Sequence, residues 1–103
     1  MGVDVVLMQV DRPGSSPKRR RLNQVAVAVD ASEEFAGLCA GENVPMLSRA
    51  DPYGTLILTS AEMEQFISEV ESRQGRSELL GEILRLARTC MADPSMELHL
   101  QGD

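Results

Sequence analysis

A chain of 103 residues can build one core and leaves no room for a catalytic domain beside a binding domain. With 43% hydrophobic and 25% charged residues it has the composition of an ordinary globular domain, which excludes wholesale disorder. The net charge is −6, and two cysteines outside any CxxC pattern and a single histidine exclude a disulfide-dense secreted scaffold and a two-imidazole metal site within one chain.

The apolar runs are far shorter than the roughly 20 residues of a membrane helix. Asp4 interrupts the N-terminal run, and no basic segment precedes it, so no signal peptide is expected and the expected location is the cytoplasm. Aromatics are limited to Phe35, Tyr53 and Phe66, so the core must be aliphatic. Charge is unevenly placed. Within residues 1–21, five basic and two acidic residues give +3; the remainder carries five basic and fourteen acidic residues, giving −9. An acidic body therefore bears one basic segment.

In chain order, Val3–Val10 is apolar on both alternating faces, the pattern of a central strand covered on both sides. Asp11–Asn23 reads as a loop: Pro13, Gly14 and Pro17 break regular structure, and Lys18, Arg19, Arg20 and Arg21 follow. Gln24–Val29 reads as a second strand, with Val25, Val27 and Val29 on one face and Ala26 and Ala28 on the other, where small side chains admit a close neighbour. The two strands form an antiparallel hairpin. Asp30 and Glu33 have capping-box spacing before a short helix, Ala31–Ala40, which Gly41 stops.

Asp51-Pro52-Tyr53-Gly54 matches a type I turn, and Thr55–Thr59 is a short strand. Thr59 and Glu62 have capping-box spacing before a helix over Ser60–Gln74, whose core stripe is Met63, Phe66, Ile67 and Val70. Its glutamates, with Glu69 four residues before Arg73, read as a solvated face. A third helix covers Ser77–Met91. Ser95–Gln101 alternates, with Met96, Leu98 and Leu100 inward and Glu97, His99 and Gln101 outward, as in a half-exposed antiparallel strand. The expected fold is one α+β domain over 1–103, with elements in the order β-β-α-β-α-α-β. Its four-stranded, mainly antiparallel sheet carries the helices mostly on one face.

Candidate chemistry is sparse. Lys18, Arg19, Arg20 and Arg21 could contact phosphates, but the body repels a polyanion and no aromatic is interleaved for base stacking. His99 would need a nucleophile and an orienting acid, with Glu97 the nearest carboxylate, and reads as an exposed, non-catalytic residue. Cys39 and Cys90 lie near helix C-termini, where the dipole disfavours a thiolate; buried thiols are the expectation and an internal disulfide the alternative. The glycines fit no phosphate-binding loop, so no cofactor is expected. Tyr53 sits on a rigid turn, a position suited to recognition.

The DPYG turn, the MEQF helix and the terminal ELHLQGD resemble a pattern in small uncharacterised bacterial proteins of actinobacterial type. The resemblance covers roughly the second half of the chain and implies no known activity.

The function expected is a non-enzymatic protein-binding module, regulatory or of immunity type. Its candidate contacts are Lys18, Arg19, Arg20, Arg21 and Tyr53, and a homodimer is expected through the second apolar face of Val3–Val10 and the exposed edge of the small sheet. The alternatives are nucleic-acid binding through Lys18–Arg21 and a small enzyme around His99 and nearby carboxylates. A gel shift separates the first two: no retardation of DNA or RNA is expected at moderate salt. A shift abolished by replacing the four basic residues with alanine would instead identify a nucleic-acid contact.

Overall fold

Strands form where β-branched residues run together, and their pairing sets which face each residue occupies. The computed structural model describes residues 2–11, 21–72 and 77–102. In it, β1 (Val3–Asp11), β2 (Arg21–Ala28), β3 (Thr55–Thr59) and β4 (Met96–Gly102) form one antiparallel sheet in the order β2-β1-β4-β3. Three helices, α1 (Glu34–Cys39), α2 (Met63–Glu71) and α3 (Glu78–Met91), complete the expected order, with 3-10 turns at Leu47–Arg49 and Ser60–Glu62.

The register explains the one-sided core. Val5 lies opposite both Ala28 and Leu100, and Leu7 opposite both Ala26 and Leu98, so these residues share one face. They join Val3 and Leu58 in a single cluster with Phe35 and Leu38 of α1, Met63, Phe66 and Val70 of α2, and Ile83, Leu86 and Cys90 of α3. The rings of Phe35 and Phe66 meet at 6.3 Å between centroids, tilted by 57°, and lock α1 to α2. Ala26 and Ala28 face this side, and their small side chains let α3 pack over β2.

The hairpin pairs as expected, but its strands reach further. Arg21, Leu22 and Asn23, expected in the loop, pair with Asp11, Val10 and Gln9. Residues 12–20 of the expected loop, Lys18, Arg19 and Arg20 among them, lie outside the described residues. A bulge opposite Leu7 and Met8 makes Val25 the extra residue between Gln24 and Ala26.

Two corrections concern carboxylates. The Asp30–Glu33 capping box does not form. Glu33 adopts a left-handed conformation at φ 63°, and α1 begins only at Glu34. The buried Asp30 carboxylate reaches past that turn. Its Oδ1 accepts the Phe35 N–H (3.0 Å), and its Oδ2 accepts the N–H groups of Ala36 (2.8 Å) and Val3 (3.0 Å). The Asp30 N–H donates to Asp4 Oδ1 at 2.9 Å. Gly2 is pressed so closely against the Asp30 carbonyl that a Cβ there would collide with it.

Glu69, expected on a solvated face, is buried. Its Oε1 accepts the N–H groups of Met46 (3.0 Å) and Leu47 (2.9 Å), and its Oε2 accepts Gln65 Nε2–H (2.8 Å). Glu69 thus caps the 3-10 turn at Leu47 and ties it to α2. Arg73, its expected surface partner, lies outside the described residues.

The Thr59–Glu62 and Asp51–Gly54 signals stand. Glu62 Oε1 accepts the Thr59 N–H at 3.0 Å, completing the capping box that leads into α2. Ser77 Oγ accepts the Leu80 N–H at 3.1 Å and caps α3. The Gly54 N–H bonds the Asp51 carbonyl across the DPYG turn at 3.2 Å.

Removing Asp30 strands three N–H donors, two of them buried with it. Asp30→Ala is expected to lower unfolding stability by about 3 kcal/mol, and Glu69→Ala by about 2 kcal/mol, measured by urea denaturation. Loss of under about 0.5 kcal/mol for either would show that its bonds carry no net stability.

Candidate functional site

The second face of the sheet is built from the residues that alternate with the core. Val6 lies opposite Val27 on β2 and His99 on β4, and His99 lies opposite Ile57 on β3. One row, Val27–Val6–His99–Ile57, therefore crosses all four strands. Its centre is closed, with Val6 and His99 buried, while its ends are open: Val27 is 37% and Ile57 44% exposed. Val25 (49%) and Val29 (59%) add to the β2 side. Among the described residues, the buried apolar residues of every helix belong to the cluster on the opposite face, and Val6 stands outside that cluster. Single exposed apolar residues are ordinary, but several adjacent on one flat surface are characteristic of a binding surface.

His99 was expected to point to solvent. It does share the outer face with Glu97, but it is only 4% exposed. β4 is an interior strand, so Val6 and Ile57 wall the imidazole on both sides. Its Nε2 lies 3.2 Å from Glu97 Oε1. With so little of the ring accessible, the arrangement satisfies the imidazole within the sheet and offers a substrate no approach to it.

The other sequence candidates are not brought together. Arg21 opens β2 opposite Asp11, at one end of the sheet. Tyr53, 75% exposed, sits beside the other end, where Thr55 pairs with Gln101 and Val3 with Gly102. The nine residues of β1 separate these ends by about 27 Å at roughly 3.3 Å per residue. The Tyr53 turn is held by the Asp51 carboxylate, which accepts the Tyr53 N–H at 2.9 Å, and by the Gly102 N–H, which donates to the Gly54 carbonyl at 2.8 Å. A Cβ on Gly102 would run into the Asp51–Pro52 backbone, so glycine is what allows β4 to lie against this turn.

The thiols are free and buried. Burial, with Asp30 and Glu69 adding negative charge, pushes the Cys39 thiol up to about 12. Burial, with Glu97 and Asp93, pushes Cys90 up to about 11. Both are neutral at physiological pH, the form unsuited to nucleophilic attack or metal binding. Among the described residues, no group of three or more His, Cys, Asp or Glu side chains is placed to hold a metal ion. At the α3–β4 turn, the hydroxyl and N–H of Ser95 hold the Asp93 carboxyl below its ordinary range. The adjoining groove, lined by Val10, Thr59, Pro94, Ser95, Met96 and Glu97, is open to solvent. No described helix is long and apolar enough to cross a membrane.

Comparisons with protein-family models, with curated proteins and with solved structures return no match. The reading of the site therefore rests on its own geometry. The sequence signal for the exposed face was the run of valines at 25, 27 and 29 together with the two-sided apolar pattern of Val3–Val10; the placement of Ile57 and His99 beside them came only with the strand order.

The raised thiols carry a pH consequence. The unfolded chain releases these protons near 9.0, the folded chain only near 11 to 12. Folding therefore retains protons that unfolding releases at alkaline pH. Stability from this source is expected to be flat below about pH 9 and to fall as pH rises from 9 towards 12, measured by urea midpoints. At neutral pH, a thiol reagent is expected to label the native protein at least about ten times more slowly than the urea-unfolded chain.

Proposed function

We propose that this chain is a non-enzymatic protein-interaction module that binds by burying the outer face of its sheet. The observation that carries the reading is the Val27–Val6–His99–Ile57 row, flanked by Val25 and Val29 and left without a helix among the described residues. A sheet face of this kind gains by excluding water, which is the dominant favourable contribution in protein association. The neutral, buried thiols and the enclosed imidazole give no support to an acid–base or covalent role, which is why binding is preferred over chemistry.

The partner class is protein, a second copy of the chain included, and the place of action is the cytoplasm. Tyr53 on its braced turn is the second contact of this reading, since an exposed aromatic on a rigid support binds with little loss of side-chain freedom. Arg21, with the preceding Lys18, Arg19 and Arg20, supplies the one basic segment that an acidic partner surface would meet.

The test compares capture of a protein partner by the wild-type chain with capture by three variants. Val27→Asp and Ile57→Asp are each expected to reduce capture at least about ten-fold while keeping the urea midpoint, because each adds a charge to a desolvated surface. Met91→Asp, an equally exposed apolar position on α3, is expected to leave capture unchanged. Undiminished capture by both sheet-face variants would overturn the proposal.

A further inference from the structure

We infer that the free edge of β3 is a self-pairing strand: it lies antiparallel to β3 of a second copy, with Ile57 on the two-fold axis. The inference concerns the edge of the sheet and goes beyond the reading of its outer face.

β3 ends the strand order β2-β1-β4-β3 and pairs with β4 alone. In an antiparallel pair, every second residue bonds the neighbouring strand, and the residues between turn their N–H and C=O away from it. Two bonds fix that alternation here. The Gly102 N–H donates to the Gly54 carbonyl at 2.8 Å, so Gly54, Leu56 and Leu58 are the residues that bond β4. The Val10 N–H donates to the Ser95 carbonyl at 2.8 Å, so Glu97, His99 and Gln101 bond β1 and leave Leu98 and Leu100 to bond β3. Both lead to the same result: the main-chain groups of Thr55, Ile57 and Thr59 point out of the sheet. Glu62 Oε1 already takes the Thr59 N–H at 3.0 Å. Both groups of Ile57, both of Thr55 and the Thr59 carbonyl have no partner among the described residues.

This edge lacks the features that keep other strands away. Its sequence, Thr-Leu-Ile-Leu-Thr, has no charge and no proline, and its register with β4 is unbroken. The β2 edge, by contrast, starts with Arg21 and is interrupted by the bulge at Val25.

The choice of a second copy comes from the sequence of β3, which reads the same in both directions about Ile57. An antiparallel copy in register at Ile57 sets Ile57 opposite Ile57, Leu56 opposite Leu58 and Thr55 opposite Thr59. Threonine opposite threonine is a favourable cross-strand pair. The same register matches the outward groups. Ile57 exchanges two N–H···O=C bonds with its mate, and each Thr55 N–H meets the mate's Thr59 carbonyl. The engaged Thr59 N–H falls at the ends of the ladder, where its loss interrupts nothing. A slip of one residue would set outward groups against inward ones, and a slip of two would set Ile57 against threonine and shorten the ladder. The two-fold axis stands perpendicular to the sheet, so the helices of both copies lie on one side and both outer faces on the other. A five-residue strand makes a small interface, so the dimer is a weak one.

The experiment is light scattering coupled to size exclusion, from low micromolar to near-millimolar chain. The mass is expected to rise towards twice the 11.2 kDa of one chain. Ile57→Lys and Ile57→Glu each set like charges across the axis, where the Cα atoms stand about 5.5 Å apart. Each variant alone, with folding checked by circular dichroism, is expected to raise the dimer dissociation constant at least about ten-fold, and an equimolar mixture of the two to recover the dimer. Should either variant fail to fold, amide exchange of the wild-type chain reads the same contact. The Ile57 N–H is expected to exchange at least about ten times more slowly at the highest concentration than at the lowest, while the Leu58 N–H is slow at both. A monomer at every concentration overturns the inference. So does a dimer indifferent to charge at Ile57, a mixture that recovers nothing, or an Ile57 N–H whose exchange ignores concentration. Val27→Asp, at the opposite border of the sheet, is expected to leave the dimer intact. If the chain is monomeric and Val27→Asp still abolishes capture of another protein, the proposed function stands and this inference falls; a β3 dimer whose capture of another protein survives both Val27→Asp and Ile57→Asp gives the reverse.

Discussion

The carboxylate of Asp30 accepts backbone N–H groups from Val3 at the start of β1 and from Phe35 and Ala36 at the start of α1, while its own N–H is held by Asp4. One buried side chain thus joins the chain's beginning, the end of the hairpin and the first helix. Everything downstream depends on that junction. It fixes where α1 leaves the sheet, and so which face Phe35 covers; Phe35 in turn meets Phe66 and positions α2. Glu69 repeats the device from the opposite direction, reaching from α2 to the N–H groups of Met46 and Leu47. In a protein with two phenylalanines, no tryptophan and a core of aliphatic side chains, directional bonds of this kind supply the specificity that loosely shaped side chains do not.

The helices lie on one side of the sheet, and the other side receives none among the described residues. The face that remains is mixed: Asp4, Gln101, Thr55, Glu97 and Thr59 share it with Val6, Val27 and Ile57. Valine dominates its β2 border, Ile57 closes the opposite edge, and His99 lies enclosed between Val6 and Ile57 with Glu97 at hydrogen-bond distance. An imidazole satisfied inside an apolar row adds polarity without adding an exposed charge. The proposed function therefore rests on this face and not on the histidine's chemistry.

The local parts of the fold were legible in the sequence. The Thr59–Glu62 capping box, the Ser77 start of α3 and the Asp51–Gly54 turn all depend on residues within a few positions of one another, and each appears as read. The two-sided apolar pattern of Val3–Val10 marked β1 as interior, and the Ala26/Ala28 face marked where a helix could approach. The misreadings share one cause. The spacing pairs the Asp30 side chain with Glu33, but the Asp30 carboxylate accepts the Val3 N–H and the Asp30 N–H donates to Asp4, both more than twenty residues away. Glu69 was placed on a wet helix face, but the groups it caps come from a loop 22 and 23 residues upstream.

Residue order by itself therefore determined the order of the elements, the starts of α2 and α3 and the α+β class, because helix periodicity, strand alternation and turn chemistry act over short separations. Tertiary structure alone decided the fate of the polar residues within those elements. Alternation along β4 correctly assigned His99 to the face opposite Leu98 and Leu100. Whether that face was wet depended on β1 and β3 flanking it, since burial of a strand residue is set by neighbours across the sheet and not by those along the chain. The same lateral packing assembled Val27, Val6, His99 and Ile57, drawn from four separate segments, into the surface on which the proposed function rests.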